Sequence, residues 1–159
     1  MDDKEINRTL FPRRKNLIFR NVGAASDVKM YFVTVCSKHR VPNIAHQRVH
    51  SALRRAWLDR RYWMVCGYVI MPDHVHLIVA QASSSGVSLH RWIGWWKRES
   101  LLDIGDRSIV WQKGCWETRI RNEEMFAQKL EYIHDNPVRK GLVKHASDWP
   151  FMGTFNTPR

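Results

Sequence analysis

The chain has 159 residues, 44% of them hydrophobic and eight of them tryptophan, which is enough for one domain to bury a core without disulfides or a structural metal. Twenty-six lysines and arginines against fifteen acidic residues give a formal net charge of +11, a balance that favours polyanions and above all nucleic-acid phosphates. Three cysteines without CxxC spacing argue against a disulfide framework or zinc knuckle, the longest apolar run is far short of the ~20 residues a membrane helix needs, and the polar start lacks a signal-peptide core, so a cytoplasmic protein with no membrane partner is expected.

Residues 1 to about 28 read as a polar arm whose Arg13, Arg14 and Lys15 could grip a nucleic-acid backbone, or simply remain solvated. Met30 to Cys36 (MYFVTVC), rich in aromatic and β-branched residues, predicts the first strand. From Asn43, a candidate N-cap, Val49, Ala52, Leu53, Ala56 and Trp57 follow helical spacing, with Arg48, Arg54, Arg55, Arg60 and Arg61 on a basic, solvated face. Tyr62 to Met71 predicts a second strand, Pro72-Asp73 a turn, and His74 to Ala80 a third strand, the last two pairing as an antiparallel hairpin.

A Ser-rich loop follows, and Ser88 can cap a helix with Leu89, Trp92, Ile93 and Trp96 on its apolar stripe. Trp95 falls off that stripe, free to stack on an unpaired base or to pack as a satellite of the core. Ser108 to Ile120 predicts two short strands, or one bulged strand, around Lys113-Gly114. Asn122 should cap a last helix running to about Asn136, where Pro137 opposes continuation, with Phe126, Leu130 and Ile133 as its core stripe. In the tail beyond, Trp149-Pro150-Phe151 should pack back on the body.

Chemistry concentrates in VIMPDHVHLIVA, Val69 to Ala80. Strand side chains alternate, so His74, His76 and Ile78 share one face while Val75, Leu77 and Val79 take the other. Two imidazoles side by side on a rigid element are a candidate metal site, although HxH spacing also arises by chance. No HExxH, HxHxDH or CxxC run completes a hydrolytic zinc site. Two imidazoles and an amide oxygen with open positions would suit Mg²⁺ or Mn²⁺ bound to a substrate phosphate.

At 100° per residue Tyr132 lies off the last helix's apolar stripe and shares its polar side with Gln128, Lys129 and Asn136. Tyr132 is either an ordinary surface tyrosine or a nucleophile, and Asn136 either a turn cap or a third metal ligand. Together with the histidines these residues fit a transesterification in which a phenolate attacks a phosphodiester polarised by a divalent ion.

MPDHVHLIV followed by YIHDNPVRKGLV, with the later DWPF, resembles the single-tyrosine HUH transposases, most closely their REP-associated tyrosine transposase branch, over roughly Met30 to Phe151. That resemblance implies an α+β fold with a ferredoxin-like antiparallel sheet, helices packed on it and the HUH motif on a central strand. It implies a transposase domain over 29–151 between the arm and a short tail, 152–159. Carried over by motif, His74, His76 and Asn136 would be the metal ligands and Tyr132 the nucleophile. The implied substrate is single-stranded DNA folded into hairpins, the repetitive extragenic palindromes, in a nucleoid-associated protein acting as monomer or homodimer. The chain reads CWETRI from Cys115, where the family pattern is richer in aromatics, so base-reading contacts are not carried over there. From charge and placement alone, Arg13, Arg14, Lys15, Arg119, Arg121, Lys129 and Arg139 are expected on phosphates. The competing readings are a non-catalytic hairpin-binding regulatory module, which would bind without forming an adduct, and a metallonuclease that uses water.

Overall fold

The structure, a computed structural model, describes residues 28–82 and 86–155. The expected basic arm, with Arg13, Arg14 and Lys15, lies outside the described residues. The elements are β1 (Met30–Cys36), α1 (Gln47–Trp57), β2 (Trp63–Ile70), β3 (His74–Gln81), α2 (Leu89–Ile104), β4 (Trp116–Ile120), α3 (Glu123–Arg139) and β5 (Met152–Gly153). One antiparallel sheet takes the order β4-β1-β3-β2-β5. The first four strands, with α1 and α2 as crossovers, have the ferredoxin-like arrangement that the sequence led us to expect. β5 and α3 are added to it.

Side-chain alternation divides the core in two. Val33, Val35, Val75, Leu77 and Val79 face α1 and α2, where Leu53, Trp57, Trp92 and Trp96 meet them. Met30, Phe32, Ile78 and Ala80 face α3, which supplies the expected Phe126, Leu130 and Ile133. One device keeps β2 in step with both layers: a bulge between Val65 and Gly67 leaves Cys66 without a partner residue on β3. Val65 pairs with Val79 before it and Tyr68 with Leu77 after it, all in the layer of α1 and α2.

Four local expectations differ from what is found. α1 begins at Gln47 rather than just after Asn43, because Asn43 uses its side-chain amide on the Ser108 carbonyl (3.1 Å) and Ile44 is tied to Pro72 (3.1 Å). Arg54 is not merely solvated; its guanidinium donates to the Tyr68 phenol (2.9 Å) and lies over Phe155. Of Ser108 to Ile120 only Trp116–Ile120 forms a strand, the earlier part holding a single bridge from Trp111 to Ser37. There the Lys97 ammonium takes the place of a partner strand, donating to the carbonyls of Gln112 (2.9 Å) and Gly114 (2.6 Å). α3 runs through Pro137 to Arg139, since a proline this near the end removes one intrahelical bond while Lys140 and Leu142 still donate to Asn136 and Pro137.

Ser88 and Asn122 cap α2 and α3 as expected, each accepting from the backbone three residues on. Trp149 packs back by donating its indole N–H to the Ile70 carbonyl (3.0 Å), and packed residues continue through Met152 and Phe155. No described helix is long and apolar enough to cross a membrane.

Candidate active site

β3 lies inside the sheet between β1 and β2, so both its histidines are held by neighbours on either side and are only 6% exposed. Their Nε2 atoms point at each other, 3.1 Å apart. The other nitrogens are anchored. Nδ1 of His74 donates to Asp73 Oδ1 at 2.6 Å, and Nδ1 of His76 lies 2.8 Å from Thr34 Oγ1, its cross-strand neighbour on β1. When the Thr34 hydroxyl accepts from His76 Nδ1–H, as Asp73 accepts from His74 Nδ1–H, two Nε2 lone pairs converge on one point. In that tautomer the pair is set to share a cation, while in the other His76 Nε2–H donates to His74 Nε2; in either case burial disfavours the charged imidazoles, pushing His76 down to about 3, despite the Asp73 carboxylate beside His74. Adjacent ligands of an octahedral ion with bonds of about 2.1 Å are about 3.0 Å apart, close to the spacing seen here.

α3 closes the site from above. The Tyr132 ring meets the His76 imidazole edge-on, centroids 5.4 Å apart, and Phe32 likewise at 5.9 Å. One turn further, Asn136 is 1% exposed, and its Oδ1 is a buried acceptor with no hydrogen-bond partner. A buried amide oxygen left unsatisfied is costly, and a cation is a physical reason to keep one. The polar side expected for this helix is therefore not a solvent face. Gln128 is exposed, but Tyr132 and Lys129 are half-buried and Asn136 is buried, because the side of the helix that carries them is turned toward the histidine row.

Positive groups surround the pair. Arg40 donates from Nε to Asp73 Oδ2 (2.8 Å) and from Nη1 to Cys36 Sγ (2.9 Å), and its Nη2 is 3.5 Å from His74 Nδ1. Arg40 and its neighbour His39 both have positive φ, 57° and 55°, a conformation that costs side-chain-bearing residues of order 1–3 kcal/mol. Lys129 Nζ sits 4.7 Å over Phe32, and the Arg139 guanidinium 5.4 Å over Tyr132. Lys129, Lys140 and Arg40 all disfavour charge on His76. The pair therefore sits in a strongly positive surround, which favours an anion as its ligand.

Of the residues singled out in the sequence, His74, His76, Tyr132, Lys129 and Arg139 are brought together, with Asn136 one helical turn from Tyr132. Trp95 and Arg119 are elsewhere. Trp95 packs on the core layer of α1 and α2, and Arg119 stacks on Tyr31 on that same side of the sheet. Arg121 is exposed just beyond β4. Thr34, Arg40, Asp73 and Lys140 escaped sequence reasoning, since cross-strand pairing and a strained loop leave no periodic signal; only Asp73, adjoining the first histidine, was within sight. His90, Cys115 and Glu117 also cluster, but on the far side of the sheet, where His90 Nε2 lies 2.8 Å from Glu117 Oε2.

A ferredoxin-like sheet with a histidine pair on its interior strand, and a helix laid over that pair bearing a tyrosine and a buried amide, define an α+β protein with a two-histidine, one-tyrosine site. No family model matches the chain. It is 31% identical over 129 residues to a REP-associated tyrosine transposase of Escherichia coli (strain K12), spanning 79% of this chain and 76% of that one. A solved structure of a REP-associated tyrosine transposase bound to a REP hairpin superimposes with a TM-score of 0.65 at 30% identity, covering 78% of this chain and 75% of the other. The chain belongs to the REP-associated tyrosine transposase family.

Proposed function

We propose that this transposase is a metal-dependent endonuclease and strand transferase acting on single-stranded DNA that folds into REP-type hairpins, with Tyr132 as nucleophile. The observation that carries this reading is the packing of Tyr132 against His76 within one chain, so that nucleophile and ligand pair need no second subunit. His74, His76 and the otherwise unsatisfied Asn136 Oδ1 would hold Mg²⁺ or Mn²⁺, which when bound polarises the phosphodiester and offsets charge on its non-bridging oxygens.

Tyr132 then supplies the bond-making oxygen. The phenolate attacks phosphorus, a tyrosine–phosphate bond forms, the bond to the 3′-oxygen breaks, and that oxygen leaves as a 3′-hydroxyl after taking up a proton. The 5′-phosphotyrosine conserves the phosphodiester energy, so a free 3′-hydroxyl can reverse the step and complete strand transfer. Arg40, Lys129, Arg139 and Lys140 hold the phosphate against the site, while Asp73 fixes the tautomer of His74 and Thr34 the orientation of the His76 ring. Hairpin binding by the structural relative and the net charge of +11 both support DNA as the substrate.

The test is incubation of the protein with Mg²⁺ or Mn²⁺ and a labelled hairpin oligonucleotide carrying single-stranded flanks. A covalent protein–DNA adduct is expected, absent for Tyr132→Phe and His76→Ala. Binding without an adduct under either metal would make the protein a regulatory hairpin-binding module, and free 5′-phosphate products would assign the attack to water.

A further inference from the structure

Trp116 belongs to the same face and the same row of the sheet as the histidine pair. Residues directly opposite across an antiparallel pair project to one side. His76 is opposite Thr34, and Thr34 is opposite Trp116. The Thr34 to His76 contact confirms which side the row faces. The indole therefore stands two strand spacings from His76, roughly 10 Å.

Seven of the eight tryptophans are built into the protein. Trp57, Trp63, Trp92, Trp96 and Trp111 are buried, while Trp95 and Trp149 pack against the two core layers. Trp116 alone is left in solvent, 58% exposed. It starts β4, the outermost strand on its side, and among the described residues no strand pairs beyond it. In the next row Thr118 is opposite Phe32, over which Lys129 holds its ammonium. An exposed aromatic face with a cation one row away, continuous with the tyrosine and histidines, has the make-up of a single-strand track, in which backbone phosphates meet cations and bases stack on rings.

We propose that Trp116 is the stacking platform for an unpaired base of the DNA strand whose phosphate Tyr132 attacks. The inference rests on the reading of this face as the DNA-cleaving site. Its occupant is a base from the single-stranded flank, because bases inside the hairpin stem are already stacked. The net charge of +11 and the cations beside the site favour this occupant over a second, equally basic copy of the chain.

The experiment measures binding of the full chain to a hairpin with single-stranded flanks, and to a series in which one flank nucleotide at a time is abasic. Trp116→Ala should weaken binding to the intact oligonucleotide roughly ten-fold, and Trp116→Phe should restore most of it. At one flank position the abasic substitution should cost the parent protein a similar factor and cost Trp116→Ala nothing further. Equal losses for parent and variant at every position would overturn the proposal, as would unchanged affinity of Trp116→Ala. A changed oligomeric state in Trp116→Ala would overturn it too, assigning the indole to a second copy. Because the readout is binding, failure here leaves the adduct assay with Tyr132→Phe untouched, and failure of that assay leaves the stacking result readable.

Discussion

Asp73 divides its carboxylate between two partners: Oδ2 accepts from Arg40 Nε at 2.8 Å while Oδ1 accepts from His74 Nδ1 at 2.6 Å. The arginine is held in place by a backbone that side chains ordinarily avoid, so the fold tolerates local strain to orient one imidazole. Outer partners of this kind set ring orientation and ligand basicity, and their loss costs about 10- to 100-fold in metal affinity or activity. Asp73→Asn should therefore raise the Mg²⁺ or Mn²⁺ concentration needed for half-maximal adduct formation by about that factor, with hairpin affinity retained. An unchanged metal titration would remove Asp73 from the site.

Acid should destabilise the protein through its buried histidines. His50, His74 and His76 all titrate below 6.5 because burial penalises their charged forms. As pH falls through 6.5 the unfolded chain takes up protons that the folded chain refuses, so stability is full above that value and declines toward the folded-state value, about 3 for His76. Tm measured from about pH 7.5 down to about pH 4.5 should fall, and His76→Gln should flatten the decline. An equally steep decline in that variant would contradict the assignment.

Gly67 on β2 lies directly under Leu130 of α3. A Cβ there would lie 3.0 Å from Leu130 Cδ1. Gly67→Ala should force Leu130 aside and lift α3 slightly, costing about 1–3 kcal/mol of stability. Since Tyr132 rides on that helix, adduct formation should slow by more than the loss of folded protein accounts for. A rate that simply tracks the folded fraction would show that the tyrosine's position does not depend on this contact.

Tyr68 offers the opposite contrast. Its phenol meets His50 Nε2 at 2.8 Å and Arg54 Nη1 at 2.9 Å, in the layer facing away from the histidine pair. Tyr68→Phe removes that shared partner and should cost about 1–3 kcal/mol in denaturant unfolding. Adduct formation per folded molecule should be unaffected, and a selective loss of activity would mean the two faces communicate.

Much of this was legible in the residues themselves. Alternation along β3 placed His74 and His76 together, and helical spacing separated Tyr132 from Phe126, Leu130 and Ile133, because both periodicities are local properties of the chain. Where the periodic segments lie relative to one another is not local. That Tyr132 would close over His76, rather than face water with Gln128, depends on α3 packing across the sheet. Trp95 and Trp116 make the same point. The helical wheel singled out the first, yet it packs against the core, while the exposed indole starts a strand too short to betray its orientation. The strand expected across Ser108 failed because Lys97, seventeen residues from Gly114, satisfies that backbone instead.

The unpaired Cys66 at the bulge in β2 is a matter of counting. Cys66 and Gly67 both look toward α3, so every later residue of the strand changes sides relative to a plain two-residue alternation. The bulge is what sends Tyr68 and Ile70 to the layer of α1 and α2, and Val69 to the layer of α3 beside His76. The partners on β3 run on without a gap, Val79, Ile78 and Leu77, so the bulge absorbs the extra residue and the register on either side is the same as if it were not there. Deleting Cys66 would leave Val65 opposite Val79, Gly67 opposite Ile78 and Tyr68 opposite Leu77, a regular ladder with both layers intact, whereas inserting one further residue there without a bulge to absorb it would turn the end of β2 inside out and put a phenol beneath α3.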